Sequence, residues 1–329
     1  TGSVGKTSTK ETISSVLSEK YRVLKTLGNF NNEIGLPLTV FRLTEDDEVA
    51  VLEMGISDFG EMERLSKIAQ PDICVITNIG LCHLENLGTR DGILKAKTEI
   101  FNHMNPDGIV ILNGDDDKLS TISQVHGKRP LVFGISNKDG VYADNIKSLG
   151  LDGTSFTIHG IKTADNYSTF DLTVPVPGHH MVYNAMAAAL VGSVLGLSSI
   201  EIERGVKNLK TIAGRNNIIK ENSFTIIDDC YNANPVSMKA SLDVLDTAIG
   251  RKVAILGSMF ELGENEKQMH YDVGMYLGTK DIDVLITAGD LAAQIAAGTR
   301  AYIEDNYNAH GCEVHDYATR DDMLKCIGQ

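Results

Sequence analysis

The stretch TGSVGKTSTKE, residues 1–11, decides how the rest of the chain is interpreted. Its Gly-Lys-Thr sequence matches the end of the phosphate-loop pattern, in which glycines let backbone N–H groups approach phosphate oxygens. In that pattern a helix begins at the loop, the lysine reaches the outer phosphates and the threonine hydroxyl holds Mg²⁺. We therefore predict a nucleotide-binding loop formed by Gly2, Ser3, Gly5, Lys6, Thr7 and Ser8.

Composition excludes several classes of protein. The 329 residues are too many for one ordinary core and indicate two domains. A net charge of −14 argues against wrapping nucleic acid or lying on an anionic membrane. The longest apolar run, Ala185–Leu197, is too short to span a bilayer, and we find no signal-peptide pattern. Five scattered cysteines fit a reducing compartment. We expect a cytoplasmic protein with no nucleic-acid partner and no membrane insertion.

Strand-like runs alternate with helical patterns, which is typical of α/β folds. Strands are predicted at Val49–Glu53, Ile73–Asn78 and Ile109–Asn113, and a small antiparallel excursion at residues 128–177. After a hinge at residues 213–215, a second βα series begins with the strands FTIIDD, KVAILG and DVLITAG. The predicted fold is therefore α/β, with a mostly parallel sheet first and a further βα domain after it.

One lysine falls inside an apolar helical stripe. On a helix over residues 92–104, that stripe is formed by Ile93, Leu94, Ile100, Phe101 and Met104. Lys97 lies within the stripe, whereas Lys95 points elsewhere. A lysine at a helix edge often extends its charged end to water, and for an isolated lysine this is the better interpretation. Burial would instead lower the pKa and leave a neutral amine available for chemistry.

Two polar residues follow predicted strands. Glu53 ends an otherwise apolar strand, and His83 comes shortly after the next one. Open α/β sheets bind ligands at the carboxyl ends of their strands. Taken singly, each residue is typical of a solvated loop. Together with Thr7 and Lys97 they predict a cation site, and its oxygen ligands favour Mg²⁺ with histidine as the unusual member.

A further polar cluster, DDCYNANP at residues 228–235, joins a predicted strand to a helix. An isolated DD pair usually belongs to a solvated turn with a helix cap. Two acids, a tyrosine and two asparagines in one turn favour a binding loop.

These stretches, in this order, resemble the Mur ligases, the ATP-dependent amide-forming enzymes of peptidoglycan assembly. The resemblance covers nearly the whole chain, and NNEIGLP and YNANP are its most specific parts, because they point to the branch that adds D-alanyl-D-alanine. The matching segments are TGSVGKTSTKE, NFNNEIGLPLT (29–39), HLENLGTRDGILKAKTEIF (83–101), PGHHMVYNAMAAA (177–189), GRNN (214–217), DDCYNANPVSM (228–238) and MFELGE (259–264).

The resemblance implies a central P-loop ATPase domain over residues 1–213. It also implies an incomplete Rossmann-like C-terminal domain over residues 214–329, with ATP between the two. The implied reaction begins when ATP phosphorylates the terminal carboxylate of a UDP-N-acetylmuramoyl tripeptide. The amine of D-alanyl-D-alanine then attacks the acyl phosphate to form the amide.

The same resemblance implies roles for single residues. Lys97 aligns with a lysine that becomes carbamylated and orients the second of two magnesium ions. Lys6, His83 and Lys97 are the implied catalytic residues, and Thr7, Glu53, His83 and Lys97 the metal ligands. Nucleotide contacts are implied for Asn184, Arg215, Asp229 and Tyr231, and substrate contacts for Asn31, Asn32, Asn232 and Asn234.

Compared with the family pattern, we interpret the chain as a fragment that lacks the N-terminal domain for the UDP-sugar, and we expect a monomer. Two alternatives stay open. One is another Mur-type amide ligase of the folylpolyglutamate or cyanophycin type, which should lack NNEIGLP and YNANP. The other is a non-catalytic nucleotide-binding relative, which should have lost its metal ligands.

Overall fold

The glycine loop leads directly into a helix, as predicted. In the computed structural model, which describes residues 1–327, Gly5 adopts a left-handed φ of 78° and α1 follows over Lys6–Leu17. Ile13, Val16 and Leu17 have helical spacing, and the spacing predicts a helix over residues 7–21, so the observed helix ends earlier than predicted. The left-handed turn at Gly5 explains why a glycine is needed where the loop becomes a helix.

The described chain forms two units, one over Thr1–Thr211 and one that begins at Ile212. The other helices of the first unit are α2 (Gly35–Val40), α3 (Glu61–Ala69), α4 (Leu84–Leu87), α5 (Arg90–Thr98), α6 (His180–Val194) and α7 (Ser199–Lys207). Its strands are β1 (Val23–Lys25), β2 (Val49–Val51), β3 (Ile73–Ile76), β4 (Ile109–Asn113), β5 (Leu131–Gly134), β6 (Val141–Ser148), β7 (Thr154–His159) and β8 (Thr169–Val174). Short 3₁₀ helices lie at Glu99–His103, Leu119–Thr121 and Gly150–Asp152.

Strands β3 to β8 form one six-stranded sheet in chain order. The pairs from β3 to β6 are parallel, and β6, β7 and β8 pair antiparallel. This confirms the predicted α/β class with a mostly parallel sheet and an antiparallel portion. The antiparallel part begins later than predicted, because β5, the LVFG strand, pairs in parallel with β4.

Helices cover both faces of this sheet. Strand β4 demonstrates the alternation, since Ile111 joins the core beneath α1, α6 and α7, whereas Val110 and Leu112 join the core beneath α3 and α5. The apolar stripe predicted around Lys97 belongs to the second core. The helix that carries it starts at Arg90, because Thr89 accepts a hydrogen bond from the Gly92 N–H at 3.1 Å and caps the helix. It ends at Thr98 in a 3₁₀ turn rather than continuing to residue 104.

A groove separates strands β2 and β3 of the first unit. Strand β2 pairs with β1, and β3 with β4, but within residues 1–327 no strand joins β2 to β3. A cavity of about 350 Å³ lies between them, with Ile13 and Leu17 of α1 among its lining residues. Thr1 lies along β3, where its amino group donates to the Val75 carbonyl at 2.9 Å. We call this feature the inter-strand groove.

The second unit contains β9 (Asn217–Lys220), β10 (Thr225–Asp228), α8 (Pro235–Asp246), β11 (Val253–Gly257), α9 (Glu266–Gly278), β12 (Val284–Ala288), α10 (Ala292–Asp305), β13 (Glu313–Tyr317) and α11 (Arg320–Ile327), with a 3₁₀ turn at Gly263–Asn265. Strands β11, β12 and β13 form a parallel sheet. In the described residues β10 pairs antiparallel with β9 and does not extend that sheet, which differs from the predicted series.

Helices α9 and α10 pack closely in this unit. A Cβ at Gly274 would lie 2.0 Å from the Ile295 carbonyl oxygen, and one at Gly298 would lie 2.2 Å from the Tyr271 carbonyl oxygen. Glycine at both positions therefore lets the two backbones approach. Helix α10 continues past Gly298 to Asp305. In the part of the chain that the structure describes, no helix has the length and apolar character that crossing a bilayer requires.

Candidate active site

The glycine loop presents a helix N-terminus suited to an anion. Within residues 1–327, no side chain caps α1 and no acidic residue lies in its first turn. The partial positive charge at this helix end is therefore not offset locally. The Lys6 ammonium donates to the carbonyl oxygens of Gly2 at 3.0 Å and Ser3 at 3.3 Å, so it lies over its own loop. A Cβ at Gly2 would lie 1.9 Å from Thr77 Oγ1, which requires glycine there.

Glu53 is buried beside the start of α1, two residues beyond the end of β2. Its Oε1 accepts hydrogen bonds from Thr7 Oγ1 at 3.2 Å and from Asn31 Nδ2 at 2.7 Å. Its Oε2 has no hydrogen-bond partner among the described residues. One oxygen is thus held in place, and the other is a buried acceptor without a donor. A buried carboxylate of this kind fits a cation ligand, because an unsatisfied buried acceptor is costly.

Lys10 is a buried residue of the site that the sequence analysis missed. It is 3% exposed, and its Nζ donates to the Thr26 carbonyl at 2.8 Å. The same Nζ lies 3.0 Å from Glu11 Oε1 and 3.7 Å from Glu53 Oε2. The second distance is within ion-pair range but too long for a hydrogen bond. The pattern that identifies Lys97 would also have found Lys10, since Ile13 and Leu17 follow it at helical spacing.

Lys97 is fully buried, with 0% exposure, as the apolar stripe predicts. Lys95, two residues earlier, is exposed. Among the described residues, Lys97 Nζ has no hydrogen-bond partner. Burial, and then the charge of Lys6, lower the pKa of Lys97 to about 7. A substantial fraction of this amine is therefore neutral near physiological pH, which is the condition for nucleophilic chemistry.

Several predicted site residues lie near the start of α1. The charge of Lys6 contributes to the lowered pKa of Lys97, so these two lysines lie within electrostatic range of each other. Glu53 accepts from the Thr7 hydroxyl, directly after Lys6. His83, partly exposed, occupies the N-cap of α4 with a left-handed φ of 52°.

The side chains predicted to bind a cation differ in chemistry: a hydroxyl, a carboxylate, an imidazole and a lysine. In the described chain, no three His, Cys, Asp or Glu side chains gather to hold a metal ion by themselves. The predicted ligand set also uses the Thr7 hydroxyl and a carbamylated Lys97, so it does not require three His, Cys, Asp or Glu side chains in one place. Two observations fit that set: the unpartnered Oε2 of Glu53 and the unpartnered Nζ of Lys97.

Other predicted contacts of the first unit have partners within the protein. The side chain of Asn184 is buried, where its Oδ1 accepts from Thr9 Oγ1 at 2.9 Å. Asn31, predicted to contact substrate, donates to Glu53 as described above. Asn32 is exposed, and its Oδ1 accepts from the Gly35 N–H at 2.9 Å at the start of α2. Ser8 lies partly exposed in the first turn of α1.

The DDCYNANP loop of the second unit is organised by its two aspartates. Asp229 accepts from the Asn216 N–H at 3.0 Å and from the Ser241 hydroxyl. The guanidinium of Arg215 stacks over the Tyr231 ring, 4.1 Å from its centroid. This stacked pair forms a flat surface with a positive charge, and Tyr231 is 51% exposed.

Asn234 is the N-cap of α8, and we predict that its main effect is on stability. Its Oδ1 accepts from the Val236 and Ser237 N–H groups at 3.0 and 2.9 Å. Asn234→Ala should lower the free energy of unfolding by about 1 kcal/mol, measured by urea denaturation. Asn232→Ala is the matched control, because Asn232 is exposed and, among the described residues, its side chain accepts a hydrogen bond from the adjacent Ala233 N–H alone. Equal losses in the two variants would contradict the capping role.

Family profiles match most of the chain. The profile of the Mur ligase middle domain matches residues 1–192, and that of the Mur ligase glutamate ligase domain matches residues 214–328. The chain belongs to the Mur ligase family. It is 40% identical, over 99% of its length, to the UDP-N-acetylmuramoyl-tripeptide–D-alanyl-D-alanine ligase of Bacillus subtilis. It is 34% identical, over 91% of its length, to the Escherichia coli protein of the same name. The chain covers 68% and 66% of these two relatives.

Solved structures of Mur ligases have the same fold. A crystal structure of MurF from Acinetobacter baumannii matches with a TM-score of 0.84 and 32% identity, and the match covers 99% of this chain and 74% of that one. The MurF ligase of Thermotoga maritima, solved in complex with ADP, matches with a TM-score of 0.79 and 29% identity, covering 98% of this chain and 76% of that one.

Proposed function

We propose that this Mur ligase adds D-alanyl-D-alanine to a UDP-N-acetylmuramoyl tripeptide, with ATP and Mg²⁺. The observation that carries the proposal is the 40% identity, over 99% of the chain, to a ligase of that name. The chain spans about two thirds of the length of such relatives, so the activity is proposed for the complete natural protein. The geometry around Lys6, Glu53 and Lys97 supports an ATP-dependent reaction in particular.

The phosphates of ATP are assigned to the glycine loop. Gly2, Ser3 and Gly5 would donate backbone N–H groups to the phosphates. The first turn of α1, which contains Ser8, provides the positive end of the helix dipole. Lys6 would exchange its two loop carbonyls for phosphate oxygens, which are stronger acceptors because they are charged. Asn184, Arg215, Asp229 and Tyr231 remain predicted nucleotide contacts.

The magnesium ligands are assigned to Thr7, Glu53, His83 and Lys97. Glu53 is the best supported, because Thr7 and Asn31 orient one of its oxygens and leave the other without a donor. Bound Mg²⁺ would supply charge stabilisation for phosphoryl transfer. The Lys10 ammonium lies 3.7 Å from Oε2, the oxygen without a donor in the described residues, and offsets part of its negative charge.

Lys97 is assigned as a carbamylated lysine. Its neutral amine would attack the carbon of CO₂ with its lone pair, form an N–C bond and release one proton to solvent. The product is an anion in an otherwise apolar environment, where it needs a cation as partner. This explains in physical terms why a lysine without a protein partner is buried beside a magnesium site. The assignment includes two magnesium ions, with the carbamate orienting the second.

The chemistry follows the sequence of events that the family resemblance implies. The γ-phosphoryl group of ATP passes to the terminal carboxylate of the tripeptide, the dipeptide amine attacks that carbonyl, and phosphate leaves. Lys6 would hold the transferring phosphate, and this charge stabilisation is the main contribution expected of the protein in phosphoryl transfer. Asn31, Asn32, Asn232 and Asn234 remain predicted substrate contacts.

The proposal is tested by phosphate release from ATP in the complete natural protein. We expect release only when both the UDP-N-acetylmuramoyl tripeptide and D-alanyl-D-alanine are present. Replacing the dipeptide by L-glutamate, with folate as the acceptor, distinguishes a folylpolyglutamate type of ligase. Release under those conditions, or no release with the proposed substrates, would contradict the proposal.

A further inference from the structure

The first part of the loop that follows β3 is bonded to the glycine loop at several points. The Thr77 N–H donates to the Thr1 carbonyl at 3.0 Å, and the Ser3 N–H donates to the Asn78 carbonyl at 3.0 Å. The Gly80 N–H donates to Ser3 Oγ at 2.8 Å. The two segments thus run side by side. The glycine loop has no strand on its other side in the described residues, because the inter-strand groove lies there.

Asn78 makes the central contact. Its Oδ1 accepts from the Val4 N–H at 2.9 Å, and its Nδ2 donates to the Val4 carbonyl at 3.1 Å. Thr77 Oγ1 donates to the same carbonyl at 2.7 Å. A primary amide satisfies both polar groups of a peptide unit at once, because it contains one acceptor and one donor. Leucine has a similar size but neither group, so it would leave the Val4 N–H without its partner and the Val4 carbonyl with the Thr77 hydroxyl as its remaining donor.

The loop that carries Asn78 is itself fixed. The Ile79 N–H donates to Asp116 Oδ2 at 2.8 Å, and Arg90 Nε donates to the Ile79 carbonyl at 2.9 Å. Arg90 is the first residue of α5, the helix that carries Lys97. A continuous series of hydrogen bonds therefore connects the glycine loop, through Asn78 and Ile79, to that helix.

We propose that Asn78, assisted by Thr77, is a positioning residue that holds the glycine loop in its phosphate-binding conformation. Val4 immediately precedes Gly5, whose left-handed turn starts α1. Fixing both polar groups of Val4 therefore fixes the direction in which the following N–H groups point. The inference rests on the proposed nucleotide function of this loop. It adds a residue that does not touch the nucleotide but determines how tightly it is bound.

The test is ADP affinity, measured by isothermal titration calorimetry with the full chain well below its melting temperature. We expect Asn78→Leu to weaken ADP binding about tenfold or more, because small displacements of binding groups are costly. Asn137→Leu is the matched control. Asn137 is also partly exposed after a strand and bonded through both amide atoms, to Gly114 and Asp139, but it does not contact the glycine loop. It should bind ADP as wild type does.

Thr77 provides a second, independent pair of variants if Asn78→Leu does not fold. Thr77→Val removes the hydroxyl with little change in shape and should weaken ADP binding several-fold, on the order of one lost hydrogen bond. Thr77→Ser keeps the hydroxyl and should restore most of the affinity. Wild-type affinity in Asn78→Leu, or in Thr77→Val should Asn78→Leu not fold, would overturn the inference. Absence of ADP binding by the wild-type chain would instead count against the proposed function.

Discussion

Replacing Lys97 by methionine is expected to lower the turnover of the complete natural protein by at least about a hundredfold, comparable to the loss of one preorganised electrostatic contact. Methionine fills a similar volume in the apolar core but cannot react with CO₂. The protein should therefore fold, and the free energy of unfolding should not fall, because a buried amine without a partner is removed. The measurement is phosphate release under saturating substrates, together with urea denaturation. Full activity in the variant would refute the carbamate role.

The turnover lost in Lys97→Ala should be partly restored by a small carboxylate added to the solution. Alanine leaves space where the lysine side chain lay, and a small carboxylate such as acetate can enter it. We expect acetate to restore part of the turnover of Lys97→Ala and none of that of Lys97→Met, in which the space is filled. Equal responses of the two variants would show that acetate acts elsewhere.

The pKa of Lys97 also has a consequence for stability. It is about 7 in the folded chain against an ordinary value of 10.5. Between these two pH values the unfolded chain binds one more proton than the folded chain. In CO₂-free buffer, the free energy of unfolding of the wild type should therefore rise with pH, relative to Lys97→Met, by about 1.4 kcal/mol per pH unit. Below pH 7 both states are protonated and the penalty of burial is complete. A difference that does not vary with pH would show that Lys97 is charged when folded.

Replacing Lys6 by alanine has the second large expected effect. The change removes a charge-assisted contact with the phosphates, worth about 1.5–3 kcal/mol, which corresponds to roughly a tenfold to hundredfold loss of ADP affinity. Turnover should fall further, because negative charge moves toward the leaving phosphate oxygens in the transition state and a fixed cation there stabilises it. Calorimetry with ADP and phosphate release with ATP measure the two effects.

Lys20→Ala is a suitable control for Lys6→Ala. Lys20 also donates to a backbone carbonyl, that of Gly196, but it lies beyond the C-terminal end of α1. Its removal should leave ADP affinity unchanged. Unchanged nucleotide binding in Lys6→Ala as well would overturn the assignment of the glycine loop.

The sequence was most informative where a signal is local and periodic. The burial of Lys97 follows from its place in a stripe of apolar residues, and the structure confirms it. The same periodicity applied to α1 would have identified Lys10, which falls in line with Ile13 and Leu17. The helix after Gly5 also follows from a short pattern, whereas the left-handed turn at Gly5 is seen in the structure alone.

The parts that could not be predicted depend on contacts distant in sequence. Strand β1 has three residues, and its partner β2 is more than twenty residues away, so no local pattern reveals the pair. The sequence also does not predict which group the amide of an asparagine will bond to. Asn31, a predicted substrate contact, also has an amide that donates to Glu53, a bond that the sequence does not indicate. Asn234 caps α8 with its own side chain.

The inter-strand groove has a consequence for the behaviour of this chain in solution. Apart from the bonds of Thr1 to Val75 and Thr77, the facing edges of β2 and β3 have no strand partner in the described residues, and an open strand edge can pair with an extended polypeptide. Concentrated samples should therefore tend to self-associate by strand addition. An excess of a short β-forming peptide should bind the same strand edges and reduce this self-association.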